Sequence, residues 1–119
     1  MLYNKHMKST TTERPWGSFT QFTHNQESTV KTILVKAGEQ LSLQHHKKRD
    51  EFWKVLKGNP ILTIGEEKIS AHEGEEFNIM KGVNHRITAG DQDVHILEIS
   101  TGDFDEDDII RLEDKYGRS

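Results

Sequence analysis

Short alternating apolar runs recur about every 8–12 residues along this chain, each closed by glycine, proline or an amide residue, and that rhythm confines the fold to sheet. Gly17 to Thr23 alternates around Phe19 and Phe22, and Thr29 to Lys36 is β-branched. Ala37-Gly38-Glu39 breaks that run, and Leu41 and Leu43 then alternate with Ser42 and Gln44 in a further short strand. Phe52 to Leu56 follows and is closed by Lys57-Gly58-Asn59-Pro60. Ile61 to Ile64 and Lys68 to Ala71 flank Gly65-Glu66-Glu67, a hairpin signal. Glu75 to Met80, His85 to Thr88 and Val94 to Ser100 complete the series. No window sustains an apolar stripe of helical period over three turns. The segment from Asp107 to Leu112 reads as one helical turn or a last strand. Such a series argues for a sandwich or barrel, and the expected fold is all-β, one barrel-like domain.

A chain of 119 residues suits one domain and should bury roughly two-thirds of its unfolded surface. Residues 1–13 read as a flexible polar lead-in, and 14–118 as the folded domain. The absence of cysteine excludes disulfides, thiolate metal sites and a thiol nucleophile. No apolar run approaches the ~20 residues that cross a bilayer, and the N-terminal stretch lacks the apolar core of a secretory signal. A cytoplasmic location is the expectation.

The net charge of −4 is unevenly distributed. Residues 103–114 hold seven of the 20 acids and one of the 16 bases, which leaves 15 bases against 13 acids elsewhere. No basic stripe with interleaved aromatics marks a nucleic-acid footprint. The one basic cluster, His45-His46-Lys47-Lys48-Arg49, fits a solvated loop or a site for a small anion, and composition does not choose between them. The acids from Asp105 to Asp108 read as a solvated turn or a cap.

Seven histidines raise the question of a metal. Gln44 and His46 are two apart, so on one strand they share a face, while His45 points the other way. Glu51 begins the next strand, where an antiparallel return would bring it opposite His46. His85 opens a late strand just after Lys81-Gly82. Three or four nitrogen and oxygen ligands with one open position make a catalytic divalent-metal site. His6, His24, His72 and His95 read as ordinary surface or core residues.

The sequence from Gly38 to His46, with Glu51 and then Gly58, resembles the first motif of the cupins, with Gln44 at its first histidine position. Gly74, Lys81-Gly82 and His85 resemble the second. Arg14-Pro15-Trp16-Gly17, Glu51-Phe52-Trp53, His85-Arg86, Leu97-Glu98-Ile99 and Glu106-Asp107-Asp108-Ile109-Ile110-Arg111, ending in Asp114-Lys115-Tyr116-Gly117-Arg118, are similar to the type II mannose-6-phosphate isomerases. In many members that domain is the C-terminal half of a fusion with a mannose-1-phosphate guanylyltransferase. The resemblance implies a cupin double-stranded β-barrel and interconversion of mannose 6-phosphate and fructose 6-phosphate through an enediol. It also implies a divalent transition metal, Zn²⁺ first among them, held by Gln44, His46, Glu51 and His85.

Three further residues are candidates for the chemistry. Arg86 follows a ligand, and the family pairs histidine with arginine here, which implies a substrate or oxyanion partner. Lys31 lies in an apolar strand and either points into the barrel toward a phosphate or is an outward solvated lysine. Glu98, between Leu97 and Ile99, is a proton shuttle if it faces inward and a surface acid if it does not. Arg14 and Trp16 could order the N-terminal strand within one chain or across a neighbour. The expected partners are a sugar phosphate and a second copy of the chain, since exposed sheet edges favour pairing. Neither nucleic acid nor membrane is expected. A non-catalytic cupin that binds a sugar phosphate is the alternative.

Overall fold

The computed structural model describes residues 9–102, 105 and 107–114, and among them there are eleven strands and no helix. Strand β1 (Thr10–Arg14) and β2 (Gly17–Gln21) form a two-stranded hairpin. Eight residues of β3 (Ser28–Val35), β10 (Val94–Gly102), β5 (Arg49–Lys57) and β8 (Glu76–Ile79) build one antiparallel sheet, in that spatial order. The other sheet runs β11 (Ile110–Glu113), β4 (Leu43–His45), β9 (His85–Thr88), β6 (Ile61–Ile64) and β7 (Glu67–Ser70). The β6–β7 hairpin turns where the Gly65-Glu66-Glu67 signal placed it.

The core lies between the two sheets. Val35, Trp53, Val55, Phe77, Ile79, Val94 and Ile96 enter it from one side. Leu62, Ile64 and Ile87 enter it from the other, with Ala71 and Ala89 just beyond their strands. Period-two alternation decides which face each residue takes. Along β10 the inward set is Val94, Ile96, Glu98 and Ser100, so two polar side chains continue an apolar row into one end of the sandwich.

The ladders differ from expectation in three places. The lead-in was bounded at residue 13, yet β1 begins at Thr10, because Thr10 to Arg14 pair residue for residue with Gln21 to Gly17. Residues 1–8 and 115–119 lie outside the described residues. The Leu41–Gln44 strand shifts to Leu43–His45, the stretch that pairs with β11 and β9, while Gln40 and Leu41 make only an isolated bridge to Thr88 and a single backbone bond to Ile87. Glu51 does not return beside His46. Strand β5 joins β10 and β8 in the opposite sheet, so Glu51 meets His46 across the sandwich.

Gly58 ends β5 with a φ of +93°, and a Cβ there would lie 2.6 Å from the Asp93 carbonyl oxygen and 2.9 Å from Val94 Cγ2. Only glycine fits such an approach. Gly58→Ala should therefore destabilise the protein by about 2 kcal/mol or more. A urea unfolding midpoint equal to that of wild type would refute this account of the turn.

Candidate metal centre

Two sheets deliver the polar residues at the open end of the core. From one sheet come Glu51 on β5, Glu98 on β10 and Lys31 on β3; from the other come Gln44 on β4 and His85 on β9. His46 follows β4 directly. These residues, with Arg49, Trp53 and Arg111, line a cavity of about 230 Å³. A larger cleft, about 690 Å³, lies between residues 21–26 and the Asp50, Asn78 and Met80 region. Among the described residues the one group of metal-type donors, His46, Glu51 and His85, lines the smaller cavity.

The donor atoms are oriented from behind. His46 donates from Nδ1 to the Asp108 carbonyl oxygen at 2.6 Å, and His85 donates from Nδ1 to the Val83 carbonyl at 3.0 Å. Each bond leaves Nε2 as the unprotonated nitrogen, aimed at Glu51, at 3.4 Å from Oε2 for His46 and 3.4 Å from Oε1 for His85. Backbone carbonyls behind imidazoles are the usual outer support of metal-binding histidines. Arg49 covers one side, donating from Nε to Glu51 Oε2 and from Nη2 to His46 Nε2, each at 3.2 Å. The other side stays uncovered, since Glu51 Oε1 and His85 Nε2 are both buried without a hydrogen-bond partner.

A bare imidazole nitrogen facing a carboxylate oxygen places lone pair against lone pair, and a cation between them resolves that conflict. The ligand atoms of His46, Glu51 and His85 all lie within 4.8 Å of one another. The trio fits a metal ion on its donor chemistry. Gln44 sits directly opposite His85 in the β4–β9 ladder, and its Oε1 accepts a bond from Ser42 Oγ at 2.6 Å, which orients the amide in the same cavity.

Burial sets the protonation states. It pushes His85 down to about 4, against an ordinary value of 6.5, so the imidazole is neutral and ready to ligate at pH 7. Burial also holds His46 below its ordinary value. Glu51 is pushed up by burial and drawn partly back by Arg49. Glu98 is raised by burial and then by the neighbouring Glu51.

Lys31 and Glu98 both turn inward. They are directly paired across β3 and β10, with Lys31 Nζ 3.3 Å from Glu98 Oε2, and Trp53 Nε1 donates to Glu98 Oε1 at 3.2 Å. Arg86 does not join them. His85 takes the inward position on β9, and alternation turns Arg86 out of the cavity. Its guanidinium donates to the Leu41 carbonyl at 2.9 Å and to Glu113, binding β9 to the far end of β11. The role implied for Arg86 at the substrate is corrected to that of a strand tie. His24 and His72 are exposed, and His45 bonds Asn84 away from the cavity.

Sequence reasoning missed three contributors. Arg49 was seen only as part of a basic loop, although it is 6% exposed and touches two of the donors. Asp108 was read with the solvated acids. Its carboxylate accepts the backbone N–H groups of Lys47 and Lys48 at 2.9 and 3.0 Å, and those bonds hold it below the usual carboxylate range. Arg111 stands in the family-like ending with no role of its own implied, and it lines the cavity. The missed signal was period: Arg111 stands two residues after Ile109, which also lines the cavity.

The profile of the family described as "Mannose-6-phosphate isomerase C-terminal" matches residues 3–114. Xanthan biosynthesis protein XanB of Xanthomonas campestris pv. campestris is 41% identical over 108 residues, which cover 89% of this chain and 23% of that protein. Mannose-1-phosphate guanylyltransferase ManC of Salmonella typhimurium is 37% identical over 107 residues, covering 88% and 22%. The chain thus spans less than a quarter of the length of these two relatives. A cupin protein from Bacteroides fragilis superposes with a TM-score of 0.59 at 26% identity, covering 63% of this chain and 65% of that one. The fold is that of a single cupin domain.

Two expectations follow for the centre. Elemental analysis should find about one divalent metal per chain, most of it lost in His46→Ala or His85→Ala and retained in His24→Ala; unchanged content in the double variant would mean the trio holds no metal. The second concerns acid stability without metal. The folded value of His85 lies below its unfolded value, so its contribution is whole above pH 6.5 and disappears as pH falls through about 4. In the presence of chelator, the stability advantage of wild type over His85→Asn should shrink between pH 7 and pH 4.5. An advantage that widens in acid contradicts the assignment.

Proposed function

The chain belongs to the mannose-6-phosphate isomerase C-terminal family, and from that membership we propose that it interconverts mannose 6-phosphate and fructose 6-phosphate through an enediol. One observation carries this reading. A buried carboxylate with a raised pKa, Glu98, opens into the same cavity as the His46, Glu51 and His85 donors. A base beside a cation site is what aldose–ketose isomerisation needs.

Gln44, His46, Glu51 and His85 would hold a divalent transition metal, with Zn²⁺ the best match to two imidazoles, a carboxylate and an amide. When bound, such an ion polarises the sugar carbonyl and hydroxyl as a Lewis acid. The remaining work falls to the chain's own groups. Glu98 takes the proton from C2 of the aldose while O1 gains one from solvent, giving the enediol, and then returns a proton to C1 while O2 gives its own up to solvent; the reverse reaction retraces the same path. Trp53 and Lys31 hold its two oxygens in place, one each. Burial favours the protonated form, which brings the carboxyl closer to neutrality and so closer to the working range of a shuttle. Cytoplasmic location is part of the same reading, since phosphorylated hexoses are handled there.

The metal-loaded protein should exchange the C2 proton of mannose 6-phosphate with solvent and yield fructose 6-phosphate, both abolished by a chelator. Glu98→Gln should lower turnover by about 10²-fold or more while metal content holds. Arg86→Ala should lower the unfolding midpoint and change turnover far less. Should wild type bind the sugar phosphate yet exchange no C2 proton, a sugar-binding cupin replaces the isomerase.

A further inference from the structure

We propose that Arg111, on the edge strand β11, is the phosphate-binding residue of this cavity, gripping a phosphomonoester at the end of the ligand remote from Glu98. The proposal rests on the phosphosugar reading above and names the group that recognises the phosphate.

Register places Arg111 where it is needed. In the ladders, Arg111 lies directly opposite Gln44, and Gln44 directly opposite His85. Residues paired this way project on one face, so the three form a row across β11, β4 and β9. That face is the cavity face, because Arg111, Gln44 and His85 all line it. Ile110, one residue earlier, pairs with His45 on the opposite face.

The cavity contains three long cations, and two have carboxylate partners. Lys31 is ion-paired with Glu98 at 3.3 Å, and Arg49 with Glu51 at 3.2 Å. Among the described residues Arg111 has no carboxylate within ion-pair distance, and its Nε is buried without a hydrogen-bond partner. An arginine Nε–H left unmet in a buried place costs free energy that an incoming acceptor recovers. The guanidinium fork matches a phosphate with two parallel hydrogen bonds, a geometry that lysine does not reproduce. The two carboxylates of the cavity, each held by its own cation, leave Arg111 as the surplus positive charge for an anion.

Placement along the cavity agrees with the chemistry of the substrate. Glu98 stands on the opposite sheet, whereas Arg111 stands on the outermost strand of its own. In a hexose 6-phosphate the reacting C1 and C2 and the phosphate on C6 are well separated, so groups on two different walls of the cavity can serve them. A ligand spanning the cavity can therefore meet the base with one end and the fork with the other.

Titration calorimetry on the metal-loaded protein, with inorganic phosphate and mannose 6-phosphate as probes, tests this directly. Wild type should bind both. Arg111→Met should weaken both by about 10- to 100-fold with metal content and circular dichroism unchanged, and should raise KM far more than it lowers kcat. Arg111→Lys, which keeps the charge without the fork, should fall between. Wild-type affinity for phosphate in Arg111→Met overturns the proposal, as does a wild type that ignores inorganic phosphate. If Arg111→Met fails to fold or to hold metal, Arg111→Lys decides, and unchanged phosphate affinity there overturns it. The isomerase reading fails separately. Phosphate binding that depends on Arg111, without C2 proton exchange, leaves the anion site standing, whereas turnover with an unaltered KM in Arg111→Met removes the anion site alone.

Discussion

Lone pair faces lone pair where the two sheets meet, and most of the polar structure of this protein exists to sustain that contact. Glu51 enters from one sheet and the imidazoles of His46 and His85 approach from the other, all three nearly sealed from solvent. Without a cation such a cluster is a net cost to folding. The surrounding bonds prevent the cluster from relaxing. The Asp108 and Val83 carbonyls fix the tautomers, Arg49 neutralises one side of the carboxylate, and Trp53 packs edge-on against His85 at 5.4 Å. A protein that keeps an unrelieved polar contact at its core has traded stability for a place to bind something.

Much of the framework was legible in the sequence because it depends on local period and turn chemistry. The Ile61–Ile64 and His85–Thr88 strands were read with their observed bounds, since each is short, alternating and flanked by turn residues. The two-residue spacing of Gln44 and His46 likewise placed both toward one cavity. The partner of β5 was not legible. Nothing in residues 43–57 says whether the chain folds back in the same sheet or crosses to the other, because that choice is made by contacts more than 40 residues away, such as Ile99 beside Phe52.

The orientation of Glu98 was open for a related reason. Its neighbours Leu97 and Ile99 are apolar, which ordinarily marks them as the buried face and the acid as the exposed one. Here both faces of β10 are covered at that point. Ile99 is buried yet stands apart from the central core, and its ladder neighbour Phe52 packs against Phe22 at 5.6 Å on the outer side. A second layer on the outer face thus hides the usual signal. The arginines divide in the same way. Period alone turns Arg86 away from His85, whereas only the three-dimensional row that joins β11 to β4 and β9 reveals that Arg111 shares the face of His85.

The bonds of Asp108 bear on how the molecule assembles. Its carbonyl orients His46 from 62 positions along the chain, and its carboxylate caps the two amides that follow. Closing so long a loop carries an entropic cost that the docked strand must offset. His46 therefore acquires its working tautomer and angle only once the last strand has docked. The edge strand β11 and the ion site are coupled through Asp108, so an ion captured there acts as a clasp on that strand and suppresses its fraying.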